Sequence, residues 1–291
     1  MFLEPGVYPA SVTPLTDDDK VDEPSLARLL ARFEAQGCKG VVLAGTNGEG
    51  PSLSAVEKRD LVRTGVACKG KLKVILGIAT PSLDEAKWLA TQAGKAGADG
   101  LLVMPPAYFR WASTDGIVAW FEALADVSPI PLLAYNFPKA TGIPLTAETM
   151  ARLMRHSNVG GLKDSSGEAA NIADYRAVVP QDKVMFVGDE SLLVPALDAG
   201  WTGTISGAAN TVAPWLVRIV AEPDQRAVLR ELLDPVIAKL RSTPQPPTNK
   251  GLVHWLGAID TPWPRLPLSE VDISEARDLL VSRLGLKPGG I

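Results

Sequence analysis

The chain has 291 residues, of which 46% are hydrophobic and 21% charged, with a net charge of -4. That length and apolar share support a large buried core in one domain or two, and the mixed charge excludes a disordered chain. The slight acidity offers nucleic acid no general attraction, two cysteines (Cys38, Cys68) make no disulfide framework, and two histidines (His156, His254) are too few for a clustered His metal site.

At the N-terminus, Met1 to Gly6 lacks the basic and apolar regions of a secretory signal, so a cytoplasmic protein is expected. No apolar run approaches a membrane span. Strands are expected at Val7–Val12, Gly40–Ala44, Val74–Ile78, Gly100–Val103, Leu132–Asn136, Val159–Lys163, Val184–Val187 and Gly203–Ser206. Most are continuously apolar rather than alternating, as strands covered on both faces are. They recur at roughly 20–35 residues, the spacing of βα units.

Helical patterns lie between them. Leu26, Leu29, Leu30 and Phe33 make a stripe that follows Glu23 and Pro24, a suitable helix start. Ser54 and Glu57 fit a capping box before Leu61 and Val62, and Thr114–Val127 and Thr146–His156 are further helices. Gly37 and Gly97 sit where a helix ends and the next strand opens. After Ser206 the strand pattern stops, and Pro214–Ala221, Asp224–Leu240, Gly251–Leu256 and Ser274–Leu284 read as helices, with the Pro-rich run Pro244–Pro247 as a connection. The fold expected is an α/β (β/α)8 TIM barrel over residues 1–222, carrying a C-terminal helical extension over 223–291. An open doubly wound sheet is the competitor, and no well-placed G-x-G-x-x-G supports it.

Barrel enzymes carry their chemistry at the C-terminal ends of the strands. Lys163 closes one of the apolar runs there. It is either a strand-end lysine paired with Asp164 or a nucleophilic amine, since a desolvated lysine gives up its proton more readily and can form an imine with a ketone. Tyr135 ends the preceding strand and, with histidine scarce, is a candidate acid/base; taken alone it is also a packed aromatic. The loop Gly45-Thr46-Asn47-Gly48-Glu49-Gly50 brings flexible backbone and polar donors suited to a carboxylate, or is an ordinary βα turn.

Together these three elements resemble the pyruvate-dependent class I aldolase family of dihydrodipicolinate synthase and N-acetylneuraminate lyase, over nearly the whole chain. Gly45–Glu49 is similar to the family's carboxylate loop, Tyr135-Asn136-Phe137-Pro138 to its Y-N-x-P motif, and Gly161-Leu162-Lys163-Asp164 to its Schiff-base motif. Gly188-Asp189-Glu190, Ser206-Gly207 and Arg265-Leu266-Pro267-Leu268 are weaker matches.

The resemblance implies that Lys163 forms an imine with pyruvate and that Tyr135 is the acid/base beside it. It implies that Thr46 and the Asn47 backbone hold the pyruvate carboxylate, Thr46 also linking Tyr135 into a proton relay. Gly188, Ile205 and Ala140 would contact substrate. Tyr108 resembles the tyrosine that a neighbouring subunit contributes, which implies a tight dimer within a homotetramer. No cofactor and no metal are implied.

Dihydrodipicolinate synthases carry an Arg two residues after the proline of Y-N-x-P, where this chain has Ala140. A methyl group cannot replace a bidentate guanidinium. The run Pro138 to Gly142 is more similar to that of 2-keto-3-deoxy-sugar-acid aldolases, and the other motifs resemble those of 4-hydroxy-2-oxoglutarate aldolases. The expected enzyme is therefore a lyase joining or cleaving pyruvate and an aldehyde, on a 2-keto-3-deoxy sugar acid or 4-hydroxy-2-oxo acid. The alternatives are condensation of pyruvate with aspartate semialdehyde, and a barrel that binds a keto acid without turnover.

Overall fold

The apolar runs become eight parallel strands in the computed structural model, which is described over residues 2–289. They are β1 (Gly6–Pro9), β2 (Gly40–Leu43), β3 (Lys73–Ile78), β4 (Gly100–Val103), β5 (Leu132–Asn136), β6 (Val159–Asp164), β7 (Val184–Val187) and β8 (Gly203–Ser206). Met1, Gly290 and Ile291, at the outer ends of the two expected segments, lie outside the described residues.

The order runs β1-β8-β7-β6-β5-β4-β3-β2. A parallel bridge between Ala10 and Val42 brings β1 to β2, where Lys39 N–H donates to Val7 O and Ser11 N–H to Val42 O, both at 3.0 Å. The sheet thus closes on itself and leaves no open edge, so the (β/α)8 barrel is the fold and the doubly wound sheet is excluded. The β1 ladder ends at Pro9, short of the expected Val12. Beyond it Ala10 N–H bonds to Ser206 O and Ser11 N–H to Val42 O, so successive residues serve opposite neighbours and no continuous ladder with one strand persists.

Strand alternation divides the core into two. Tyr8, Val42, Ile75, Leu102, Leu133, Tyr135, Phe186 and Ile205 fill the barrel interior, where Tyr8 and Phe186 meet edge to face at 5.0 Å. The residues between them in sequence, such as Val41, Val74, Leu101 and Leu162, face the helices and join a larger outer core. A strand buried on both sides has no solvent face, which is why alternation is missing from the sequence.

Helix Glu23–Ala35 is capped by Asp22 and Ala55–Ala67 by the Ser54–Glu57 capping box. Gly97 ends helix Leu83–Ala96 in the left-handed region, at φ 84°. After β8 the helix begins at Ala209, not at Pro214, and runs to Ala221 with non-helical dihedrals at Val212. That kink puts Pro214 near the start of a new helical stretch, where its missing N–H costs little.

Helix Arg226–Ser242 packs on this segment and on Ser274–Leu284. The Pro-rich run is less of a connection than expected. Helix Pro247–Trp255 starts inside it, with proline in its first turn, and packs against Ala209–Ala221. Among the described residues no helix is long and apolar enough to cross a membrane.

Candidate active site

The loop after β2 is shaped by backbone geometry that its residue types do not announce. Ala44 and Glu49 both have positive φ, 52° and 55°. Thr13 Oγ1 donates to Gly48 O at 2.6 Å. Three residues of the C-terminal segment then brace it. Lys250, fully buried, stands 2.8 Å from Glu49 Oε1. Arg265 N–H donates to Glu49 Oε2 at 2.6 Å, and its guanidinium to Glu57 Oε1 at 2.6 Å. Asn249 Nδ2 donates to Asn47 Oδ1 at 2.7 Å.

Charge follows this packing. Burial pulls the Lys250 ammonium below its ordinary range, against the opposing pull of Glu49. Burial raises the Glu57 carboxyl, but hydrogen bonds from Arg265 and Ser54 outweigh it and hold the group at about 2. The weak C-terminal match at Arg265 is thus a brace for the loop.

Lys163 and Tyr135 are register partners on β6 and β5. Both point into the barrel mouth, 5% and 4% exposed, and Lys163 Nζ lies 4.3 Å from the centroid of the Tyr135 ring. Tyr135 stacks on Phe137 at 5.8 Å. The next residue on each strand turns the other way. Asn136 Nδ2 donates to Asp164 Oδ1 at 2.7 Å and to Tyr175 Oη at 3.0 Å, and Ser166 Oγ donates to Asp164 Oδ2 at 2.8 Å. Burial pushes the Asp164 carboxyl up, with the bonds from Ser166 and Asn136 opposing. Asp164 therefore serves the rear of the strands, and the Lys163–Asp164 pair is not formed.

Above Lys163 opens a cavity of about 280 Å³, lined among others by Thr46, Asn47, Tyr135, Lys163 and Gly188. A Cβ on Gly188 would fall 1.9 Å from Ser165 Oγ and 2.7 Å from Lys163 Cε, so glycine there gives both side chains their room. Thr46 Oγ1 is buried and has no hydrogen-bond partner among the described residues; the expected link from Thr46 to Tyr135 is not made.

Three expected site residues stand elsewhere. Ala140 lies exposed on the short helix Pro138–Thr141 and does not line the cavity, whereas Lys139, one residue earlier, does. The turn of that helix exchanges the two positions. Ile205 is inside the barrel at full burial, in register with Tyr8, and is not part of the cavity lining. Tyr108 is 72% exposed, at one end of an edge-to-face chain through Phe109 to Trp111.

Glu190, Arg241, Gln245 and Asn249 are among the cavity residues to which the sequence assigns no role. Arg241 Nη2 lies 2.6 Å from Asp189 Oδ2, and Nη1 lies 3.5 Å from Glu190 Oε2. The last three of the four come from the extension, beyond the βα rhythm that directed attention to strand ends. Among the described residues no group of three or more His, Cys, Asp or Glu side chains could hold a metal ion.

A family model described as the dihydrodipicolinate synthetase family matches residues 4–283. The chain belongs to that family. Membership bears out the resemblance carried by the three motifs and makes the protein a pyruvate-dependent lyase. Relatives named 4-hydroxy-tetrahydrodipicolinate synthase include one from Archaeoglobus fulgidus, 36% identical over 278 residues, covering 94% of each chain. Another, from Prochlorococcus marinus, is 33% identical over 282 residues, covering 94% of this chain and 92% of the relative. A crystal structure of dihydrodipicolinate synthase from Thermotoga maritima superposes with a TM-score of 0.92 at 27% identity, covering 98% and 99% of the two chains. The chloride-inhibited enzyme from Acinetobacter baumannii, complexed with pyruvate, gives the same three values of score, identity and coverage of this chain.

Proposed function

We propose that this family member joins or cleaves pyruvate and an aldehyde through an imine at Lys163. The observation that carries the reading is Lys163 Nζ above the Tyr135 ring, both lining one cavity. The Nζ lone pair attacks the pyruvate keto carbon, and the carbinolamine loses water with a proton delivered to its oxygen. Loss of a C3 proton gives an enamine, whose C3 forms the new bond to the aldehyde carbon while the aldehyde oxygen takes up a proton; water then hydrolyses the product imine and frees Lys163. Tyr135 carries these protons. Thr46 Oγ1, buried and without a partner, and the Asn47 backbone hold the carboxylate, and the ligand completes the relay from Thr46 to Tyr135. Gly188 leaves space for the lysine.

The substrate class is a 2-keto-3-deoxy sugar acid or a 4-hydroxy-2-oxo acid. Support comes from the absence of an Arg at position 140, two residues after Pro138. A second reading, condensation with aspartate semialdehyde, draws support from the names of the relatives and from Lys139 in the cavity lining.

Residues 1–222 act as the catalytic barrel and 223–291 as an extension. The protein works in the cytoplasm, a reading its two free cysteines favour. It assembles as a homotetramer of tight dimers; the exposed Tyr108, Phe109 and Trp111 supply the apolar surface for the tight contact, through which Tyr108 reaches a neighbour's relay.

Borohydride reduction in the presence of pyruvate tests the mechanism. The expected product carries one adduct on Lys163, with the mass of pyruvic acid less one oxygen. An unmodified protein, or labelling only at other lysines, overturns the imine. Saturable pyruvate binding without an adduct or turnover would instead support a binding barrel.

A further inference from the structure

Two carboxamides of the C-terminal extension line the cavity, and each is satisfied on one side only. Asn249 is 1% exposed. Its Nδ2 donates to Asn47 Oδ1 at 2.7 Å and to Gly207 O at 3.0 Å, while its Oδ1 is buried and meets no donor among the described residues. Gln245 Nε2 donates to Leu240 O at 3.0 Å, and its Oε1 is likewise buried without a donor. Turning either amide over brings no relief, because its carbonyl oxygen would then face Gly207 O or Leu240 O, acceptor against acceptor. The protein therefore dictates both orientations and leaves two acceptors unanswered on two residues that line one cavity. Buried acceptors of this kind call for a donor from outside the chain.

We infer that Asn249 and Gln245 are specificity residues that accept hydrogen bonds from hydroxyl groups on the aldehyde portion of the substrate. The inference rests on the imine reading above and narrows it: the preferred aldehyde is hydroxylated.

Another donor of the right kind is an ammonium, such as aspartate semialdehyde carries. The charge of the lining disfavours it. Lys139, Lys163 and Arg241 line the cavity against Glu190, and Glu190 is already engaged. Its Oε1 accepts from Ser206 Oγ at 2.6 Å and from Ala208 N–H at 3.2 Å, and its Oε2 lies 3.5 Å from Arg241. Among the described residues an ammonium would find no free carboxylate there to pair with, since Arg241 holds Asp189 at 2.6 Å as well as facing Glu190, and Lys139 lines the cavity beside it; a hydroxyl donates without adding charge. Nor does a carboxylate answer the two oxygens, since it has no hydrogen to give.

The test compares aldehydes within each enzyme form. Wild type, Asn249→Leu and Gln245→Leu are assayed for condensation of pyruvate with glyceraldehyde, with propanal (the same carbon chain without hydroxyls) and with aspartate semialdehyde, reading kcat/KM. Wild type should prefer glyceraldehyde to propanal by about 100-fold or more, because a site built to bond a hydroxyl rejects the analogue that lacks it. Asn249→Leu should shrink that ratio at least about tenfold, by loss with glyceraldehyde rather than gain with propanal, and Gln245→Leu should shrink it less.

Because the readout is a ratio, impaired folding or weaker pyruvate binding cancels. If Asn249→Leu yields no folded protein, the half-buried Gln245 position carries the test. Equal use of glyceraldehyde and propanal by wild type, ratios unmoved in the variants, or a preference for aspartate semialdehyde each overturns the inference. Borohydride trapping separates the two failures. An adduct at Lys163 without hydroxyl discrimination sinks this inference alone, and no adduct sinks the imine reading and this inference with it.

Discussion

The inward and outward faces of β5 and β6 carry neighbouring residues of the same two motifs, yet they are built on opposite terms. Outward, Asn136 and Asp164 bond to each other and to Tyr175 and Ser166, and Tyr175 Oη, Leu145 O and Leu145 N extend the network. Inward, Lys163 rests over the Tyr135 ring, with Thr46 Oγ1 unpartnered on the same cavity. A saturated network stabilises one arrangement, while an unsaturated one waits for a ligand. Motif residues that are adjacent in sequence thus divide between scaffold and chemistry by the pleat of the strand.

The comparison can be broken from either side. Tyr135→Phe keeps the ring under Lys163 and removes the proposed proton carrier, so kcat should fall by about 10²- to 10³-fold with an unchanged melting temperature. Steady-state kinetics beside thermal unfolding checks it, and full activity would remove Tyr135 from the mechanism. Asp164→Ala strips an acceptor from Asn136 and Ser166 and should cost about 2 kcal/mol of stability, measured by urea unfolding. Its loss of kcat per folded molecule should be far smaller than that of Tyr135→Phe; the reverse ordering would mean that the two faces do not separate as described.

The smallest effect belongs to the brace. Because the Glu57 carboxyl is held at about 2 against an ordinary 4.5, its contribution is fully present above pH 4.5. It is lost as the pH falls toward 2. Glu57→Gln should therefore show a shallower loss of melting temperature across that window than wild type. Parallel curves would place the acid sensitivity elsewhere.

Much of the barrel was legible because strands covered on both faces leave apolar runs that need no partner to be recognised. Lys163 and Tyr135 were legible for a related reason: each is a polar interruption at the end of such a run. Ala140 misled because counting residues past Pro138 does not say how a four-residue helix turns, and the structure sets Lys139 toward the cavity instead. Ile205 shows the same limit in depth, since strand position fixes inward direction but not the layer. Asn249 and Gln245 carried no local signal. What distinguishes them is an amide half used by atoms distant in sequence, and only tertiary contact reveals that.

The bond from Asn249 to Asn47 spans 202 positions, and the ties from Lys250 and Arg265 to Glu49 span similar lengths. Synthesis proceeds from the N-terminus, so the loop assigned to pyruvate leaves the ribosome long before its braces. All eight strands can be complete while the loop still lacks them. A nascent chain, or one cut short after the barrel, would hold the lysine and tyrosine without the framework that aligns their partner loop. The framework of that loop is thereby complete only once residues as far along as Arg265 have joined it.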